Sequence, residues 1–337
     1  MTTMTTAVNS AQVLELLLEG KALSDDQADG MFEELLSGNL GQAAAGAFLM
    51  GLRAKGEDST DLAAGVRAGL KHARQITGLS GPRIDTCGTG GDGKNSFNCS
   101  TATALFLADM GHQVVKHGNR AVSSSCGSAD ALEALGCELN TEPEQVAAEL
   151  DRNHFVFLFA PAYHPAFKHI APVRQGMGIR TLFNFMGPLL NPARPTHQLL
   201  GVSDPDMLNL MGETLLLTGV ERALLIHGAG GYDELTTFGP ARGYYIEKGR
   251  MDKTVVDPVR LGFRRFSPEA VEVEGKEHAV AVLRDILKGR GPEPMMQMVA
   301  LNLAACLHIL GEGDMESCSE VARDYVKGGL RRGEVAC

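Results

Sequence analysis

The chain has 337 residues, with 44% hydrophobic and 21% charged side chains and a formal net charge of -10. That apolar share supports a sizeable core, and the length allows one large domain or two ordinary ones. A negative surface argues against nucleic acid and against membranes as partners, although basic groups inside a cleft can still invert the field for a small anionic substrate.

Glycine is high, at 40 of 337 residues, and it clusters in loops and caps rather than in a fibrous period. The cysteines are Cys87, Cys99, Cys126, Cys137, Cys306, Cys318 and Cys337. They form no Cys-x-x-Cys pair and are odd in number, which predicts free thiols in a reducing compartment. Met1 to Asn9 carries neither a basic nor an apolar leader region. The longest weakly polar run is read as Ala43 to Leu52, too short to cross a bilayer. A soluble, cytoplasmic protein is expected.

The first seventy residues read as helical. Ser24-Asp-Asp-Gln27 is a capping-box pattern and Gly38 a terminator. Gln42 to Lys55 stops at Gly56, and Thr60 to Ala73 follows Asp58 or Ser59 as cap. Past Gly81-Pro82, short apolar stretches alternate with helical ones. Strands are expected from Ile84, over Gln113 to Lys116, Phe155 to Phe159, Gln198 to Val202 and Ala223 to His227. Helices are expected over Ser100 to Met110, Ala129 to Leu135 with Ser128 as cap, Glu144 to Arg152, and after Asp204-Pro205. From Lys276 the tail reads as mainly helical. The alternation implies an α/β fold: a small N-terminal helical domain (1–78, with helical residues from about 170–195) and a large α/β domain (79–337) with a mostly parallel central sheet.

The loop Gly88 to Gly93 lies between a strand and a helix, where glycines let backbone N–H groups turn toward a phosphate. A plain glycine turn is the simplest reading. Gly88-x-Gly90-x-x-Gly93 also matches the dinucleotide fingerprint, but the helix starts late and Asp109 lies within it rather than at a strand end. Gly88 to Lys94 matches most of a P-loop, but Asn95 stands where a magnesium-binding Ser or Thr belongs. A third reading draws on the second polar loop, Lys116 to Asp130, which adds a lysine, an arginine and four serines at another strand end. Together the two loops would wall in a polyanion.

Asp233-Glu234 follows a strand and a glycine turn. Such a pair is usually solvated, but beside a polyphosphate it suits Mg2+, which takes a few carboxylates plus phosphate and water. The segments His164 to Arg174 and Gly178 to Pro192 mix arginine, histidine, proline and apolar residues. That composition suits a cleft for an aromatic ring bearing one charge. The histidines show no zinc-type spacing.

Taken together, Cys87 to Gly93, Phe97 to Thr101, Lys116 to Arg120, Ser123 to Asp130, Arg180 to Asn184, Gly187 to Pro192 and Asp233-Glu234 resemble the anthranilate phosphoribosyltransferase family over nearly the whole chain. Phe48 to Gly56 in the helical start has the same look. The resemblance implies a nucleoside-phosphorylase-like fold, a homodimer built on apolar faces such as the trio Phe48-Leu-Met50 of the helical domain, and attack of the anthranilate amine on C1 of phosphoribosyl pyrophosphate (PRPP) with loss of pyrophosphate.

It also implies site residues. Gly88, Gly91, Asp92, Ser96, Asn98, Cys99, Ser100 and Thr101 would line the pyrophosphate and ribose. Lys116, His117, Gly118, Asn119, Arg120, Ala121, Val122, Ser123, Ser124 and Ser128 would close over the diphosphate and 5-phosphate. Ser100, Asp233 and Glu234 would hold Mg2+. Gly88, Asn119 and Arg174 would contact anthranilate, Arg174 pairing with its carboxylate. Two positions depart from the family's usual pattern: Gly176 replaces a frequent Glu, and Cys99 replaces an aliphatic residue. The rivals are a pyrimidine nucleoside phosphorylase, which shares the fold, and a non-catalytic nucleotide-binding module, favoured by the near P-loop.

Overall fold

The computed structural model describes residues 8–121, 126–139, 141–333 and 335. Of the residues singled out above, Met1 to Ala7, Val122, Ser123, Ser124 and Cys337 lie outside the described residues. The helical start comprises α1 (Ser10–Leu18), α2 (Asp25–Ser37), α3 (Gln42–Lys55) and α4 (Ser59–Lys71). Ser24 and Gln27 form the expected capping box, and Gly38 ends α2 in the left-handed region at φ 79. Asp58 caps α4 through a second box with Asp61.

Then follow β1 (Ile84–Gly88), α5 (Cys99–Asp109), β2 (Val114–Gly118), α6 (Ser128–Leu135), α7 (Val146–Asn153), β3 (Phe155–Phe159), α8 (Ala160–Tyr163), α9 (Ala171–Met177) and α10 (Phe183–Met186). The chain continues through β4 (His197–Gly201), α11 (Met207–Thr218), β5 (Arg222–His227), β6 (Ala241–Glu247), β7 (Arg250–Val256), α12 (Gly275–Leu287), α13 (Glu293–Leu310) and α14 (Met315–Gly328).

The strands form one sheet in the order β3-β2-β1-β4-β5-β6-β7. From β3 to β5 all neighbours are parallel, and β6 and β7 extend the sheet as an antiparallel hairpin. That hairpin is absent from the expectation, because its residues alternate charged and apolar side chains without a buried run. Two layers of helix cover the sheet. Ile84, Val114, Phe157, Leu199 and Ile226 face a core shared with α5, α6, α12, α13 and α14. Leu200, Val202, Ala223 and Leu225 face a core shared with α2, α3, α4 and α11, which also takes in Ile170, Val173, Leu182, Phe183 and Met186.

Five local expectations need correction. Ser128 is the first residue of α6 rather than its cap, and Gly127 occupies the cap position. After Asp204-Pro205 the chain turns before α11 begins at Met207. Cys87, Cys99, Cys126, Cys306 and Cys318 are free, but Cys137 is disulfide-bonded. Phe48 and Leu49 are interior, with Phe48 edge-on to Phe32 at 5.1 Å, so Met50 alone of that trio reaches the surface. Finally, α13 surpasses Ala43 to Leu52 as an apolar run. Its 18 residues match a membrane span in length and composition, but 67% of them are buried, as in a core helix.

Two anchors fix the loops at the carboxyl ends of the strands. The first is close backbone approach. A Cβ on Gly201 would lie 1.5 Å from Asp233 O, and one on Gly228 would lie 2.0 Å from Glu234 O. Only hydrogen fits at these positions, so glycine lets the loop after β5 lie flat on the end of β4.

The second anchor is Asp130. Its Oδ2 accepts the backbone N–H of Ala121 at 3.0 Å and of Gly127 at 3.2 Å, while Oδ1 meets Lys276 Nζ from α12 at 2.9 Å. Its partial burial opposes ionisation. The Ala121 N–H, Lys276 and the Gly127 N–H overcome that and hold its pKa at about 2.

Gly201→Ala is expected to destabilise the fold by roughly 2–3 kcal/mol, the cost of overpacking against rigid backbone, as read from urea unfolding. For Asp130 the folded pKa lies below the unfolded one, so its stabilisation is present above about pH 4 and is lost as pH falls toward 2. Asp130→Asn should cost about 1 kcal/mol at pH 7 after solvent screening, and urea curves of the two proteins should approach each other as pH falls toward about 2 and converge below it.

Candidate active site

The chain runs from β1 outward to β2 and β3, then returns to the other side of β1 as β4 and β5. The carboxyl ends of β1 and β4 therefore flank a topological switch point, where open α/β sheets bind ligands. A cleft of about 620 Å³ opens there, lined by both glycine-containing loops, the start of α5, Arg174 on α9, residues 180 and 183–185, Ser203 and Asp233-Glu234.

The glycine loop rests on β4. Thr89 N–H donates to Gly201 O at 3.0 Å, and Ser203 Oγ donates to Gly90 O at 2.9 Å. Gly90, Gly91 and Gly93 have φ of 66, 71 and 69, a region costly for any side chain with a Cβ. Gly90 N–H donates to Asp233 Oδ2 at 2.7 Å, so the loop and the acidic pair form one unit. A Cβ on Gly88 would lie 2.2 Å from the same oxygen.

The acids are crowded. Burial first, then the Asp92 carboxylate, pushes Asp233 up to about 6. Burial and the Asp233 and Asp92 charges push Glu234 well above the usual carboxylate range, opposed by the Ser100 backbone N–H at the start of α5 and by Lys116. Glu234 Oε2 is buried without a hydrogen-bond partner. Among the described residues no cluster of three or more His, Cys, Asp and Glu closes a metal cage. The donor set is thus incomplete by itself. It fits Mg2+ that draws its other oxygens from phosphate and water, and a bound cation would lower both pKa values.

Lys116 forms part of the floor rather than a mobile wall. It is 2% exposed, and its Nζ donates to Thr86 O at 2.5 Å and lies 3.3 Å from Ser100 Oγ. Burial pushes its pKa down, and Asp85 opposes that. Arg120 turns its fork to Glu133 at 2.7 and 3.0 Å. His117 is held neutral, its pKa pushed down to about 3 by burial and by His164. Its ring stands edge-on to His164 at 5.2 Å, and the sequence of edge-on rings continues through Phe167 to Phe183. Arg174 lies over the Phe183 ring at 5.6 Å. Burial pushes its pKa down, and among the described residues no carboxylate pairs with it.

Gly88, Gly91, Asp92, Ser96, Asn98, Ser100, Thr101, Lys116, His117, Gly118, Asn119, Arg120, Ala121, Ser128, Arg174, Asp233 and Glu234 all line the one cleft. Cys99 does not. Its side chain is fully buried in the core beneath α5, because the helix turns it away from the loop. The unpartnered buried atoms Asn98 Oδ1, Thr101 Oγ1, His117 Nε2 and Glu234 Oε2 mark a polar site built for a ligand. At Gly176 a Cβ would meet nothing within 4 Å, so the departure there leaves the Arg174 segment unstrained. Sequence reasoning passed over Thr89, Ser203 and Arg180 as lining residues. Ser203 had no signal beyond ordinary turn polarity, while Thr89 and Arg180 lay within motifs already singled out.

Residues 80–331 match the model of the glycosyl transferase family a/b domain, and residues 11–73 match that of its helical bundle domain. An anthranilate phosphoribosyltransferase of Oleidesulfovibrio alaskensis is 52% identical over 323 residues, covering 96% of this chain and 98% of the relative. One of Nitratidesulfovibrio vulgaris is 53% identical over 306 residues, covering 89% and 90%. The crystal structure of anthranilate phosphoribosyltransferase from Thermus thermophilus superposes with a TM-score of 0.87 at 37% identity, covering 95% of this chain and 97% of that one. The Saccharomyces cerevisiae enzyme in complex with PRPP and Mg has the same fold, with a TM-score of 0.84 at 23% identity, covering 98% and 96%. A switch-point cleft with this loop architecture, and near-full-length identity above one half, have one common explanation: the chain belongs to the anthranilate phosphoribosyltransferase family.

Proposed function

We propose that this chain transfers the phosphoribosyl group of PRPP to the amino group of anthranilate, giving N-(5-phosphoribosyl)anthranilate and pyrophosphate in tryptophan biosynthesis. The observation that carries the reading is the junction of the glycine loop with the acidic pair, Gly90 N–H donating to Asp233 Oδ2 at 2.7 Å. It brings diphosphate-binding backbone and cation-binding carboxylates to one side of the cleft. A nucleoside phosphorylase, which binds monophosphate, has less need of the pair.

The residues divide the work. Gly88, Gly91, Asp92, Ser96 and the first turn of α5 receive the pyrophosphate and ribose. Asn119, Arg120, Ala121 and Ser128 close over the phosphates. Arg120 exchanges Glu133 for phosphate oxygens as it does so. Asp233, Glu234 and Ser100 would hold Mg2+, which supplies charge neutralisation for the leaving diphosphate when bound. Lys116 keeps positive charge beneath that point from the floor.

Anthranilate enters from the α9 side. Arg174 pairs with its carboxylate, and Phe183 with the neutral His117 face its ring. The amine is a neutral nucleophile, so the chain needs no strong base. It positions amine and C1 and stabilises the charge that develops on the diphosphate. The segment 170–195, packed on the helical start, thus serves anthranilate, and the rest of 79–337 carries the PRPP site.

We also propose a homodimer. A second copy of the chain would cover α1 and α3, where Leu18 is 80% and Met50 49% exposed. Ala43, Ala47 and Ala54 continue the exposed apolar stripe at helical spacing. Five free thiols support a cytoplasmic setting, and the bonded Cys137 is the observation against it.

Adding PRPP and Mg2+ should quench anthranilate fluorescence, and no loss of signal with pure protein would end this reading. Arg174→Ala should raise KM for anthranilate by roughly 10–100-fold, the worth of a charge-assisted hydrogen bond, with little change for PRPP. Equal rises would make Arg174 a general structural residue. At micromolar concentration the chain should sediment as a dimer and the Leu18→Glu, Met50→Glu variant as a monomer. Sedimentation of the unaltered chain as a monomer would refute the interface.

A further inference from the structure

Asn302 lies on α13, outside the cleft lining, and is 3% exposed. Its Nδ2 donates to Leu235 O at 2.8 Å and to Met298 O at 2.8 Å, and its Oδ1 accepts from Leu235 N–H at 3.2 Å. One amide therefore closes both main-chain groups of the residue that follows Glu234, as a neighbouring strand would. Leu235 fixes the orientation of the amide, since its N–H can only donate and its carbonyl only accept. The same Nδ2 lies 3.4 Å from Cys99 Sγ, at the first residue of the helix whose N-terminus meets Glu234.

We propose that Asn302 is a positioning residue for the acidic pair. Gly90 holds the loop at Asp233, and Asn302 holds it just beyond Glu234, so the two carboxylates are pinned from both sides. Removing the amide leaves a buried N–H and C=O at Leu235 without partners, and the backbone must move to recover them. Metal–oxygen distances tolerate only a few tenths of an ångström, so a small movement there becomes a change in cation affinity. The inference rests on the reading of Asp233 and Glu234 as Mg2+ ligands.

The test uses the full chain with PRPP and Mn2+ as probe, free Mn2+ being read by electron paramagnetic resonance. Asn302→Leu should weaken Mn2+ binding about 10–100-fold, the range for outer groups that orient metal ligands. Its KM for anthranilate should stay within about twofold, since the Arg174 side of the cleft is untouched. Should Asn302→Leu not accumulate folded, Asn302→Ser, smaller and open to water at Leu235, is read in the same way. Asp233→Asn runs alongside. Unchanged Mn2+ affinity in the Asn302 variant with a weakened Asp233→Asn overturns the positioning role alone. Unchanged affinity in both overturns the metal reading and this inference with it. Equal rises in both substrates' KM with intact Mn2+ binding would make Asn302 purely structural.

Discussion

The active cleft depends on backbone lying against backbone where side chains would forbid it. At the ends of β1 and β4, Gly88 and Gly201 allow the loop after β5 to approach until Asp233 touches both strands. That approach puts Asp233 beside Gly90 and carries Glu234 to the start of α5. The glycine loop, the acidic pair and the helix N-terminus are one construction. A methyl group at Gly201 would part them, since backbone in a packed sheet end has nowhere to yield.

The buried charges at this site have little to neutralise them. Asp85 and Lys116 are deeply buried and Asp233 and Glu234 half-buried, and the pKa values of the three acids are pushed up by burial. Among the described residues Lys116 alone supplies positive charge at the floor, and its own pKa is pushed down. A folded chain that tolerates so much uncompensated acid gives up stability to keep a site ready for a cation and polyanion together.

Much of this was legible in the sequence because the signals are local. The capping boxes at Ser24 and Asp58, the run Phe155 to Phe159 and the glycine terminators specify their elements within a few residues. The two loops and Asp233-Glu234 could be named from composition. What sequence could not reveal is set by tertiary contacts. Asp130 and Asn302 look like an ordinary helix-start acid and an interior helix amide, and their roles arise from partners 146 and 67 residues away. Cys99 sits between motif residues, yet helix phase turns it into the core. The hairpin β6–β7 has one mostly exposed strand, so no apolar run announces it.

The central helix α13 also bears on how the chain is made. It begins at Glu293, yet it fills the core between α5, α14 and strands laid down from roughly seventy to two hundred residues earlier, β5 the latest and β1 the first. On the ribosome the sheet emerges long before the segment that completes its inner face, while the helical start can close its core sooner. When α13 does emerge, it is as apolar as a membrane span. For that interval a nascent chain carries an open sheet face and then a sticky helix, both attractive to chaperones and to other unfinished chains.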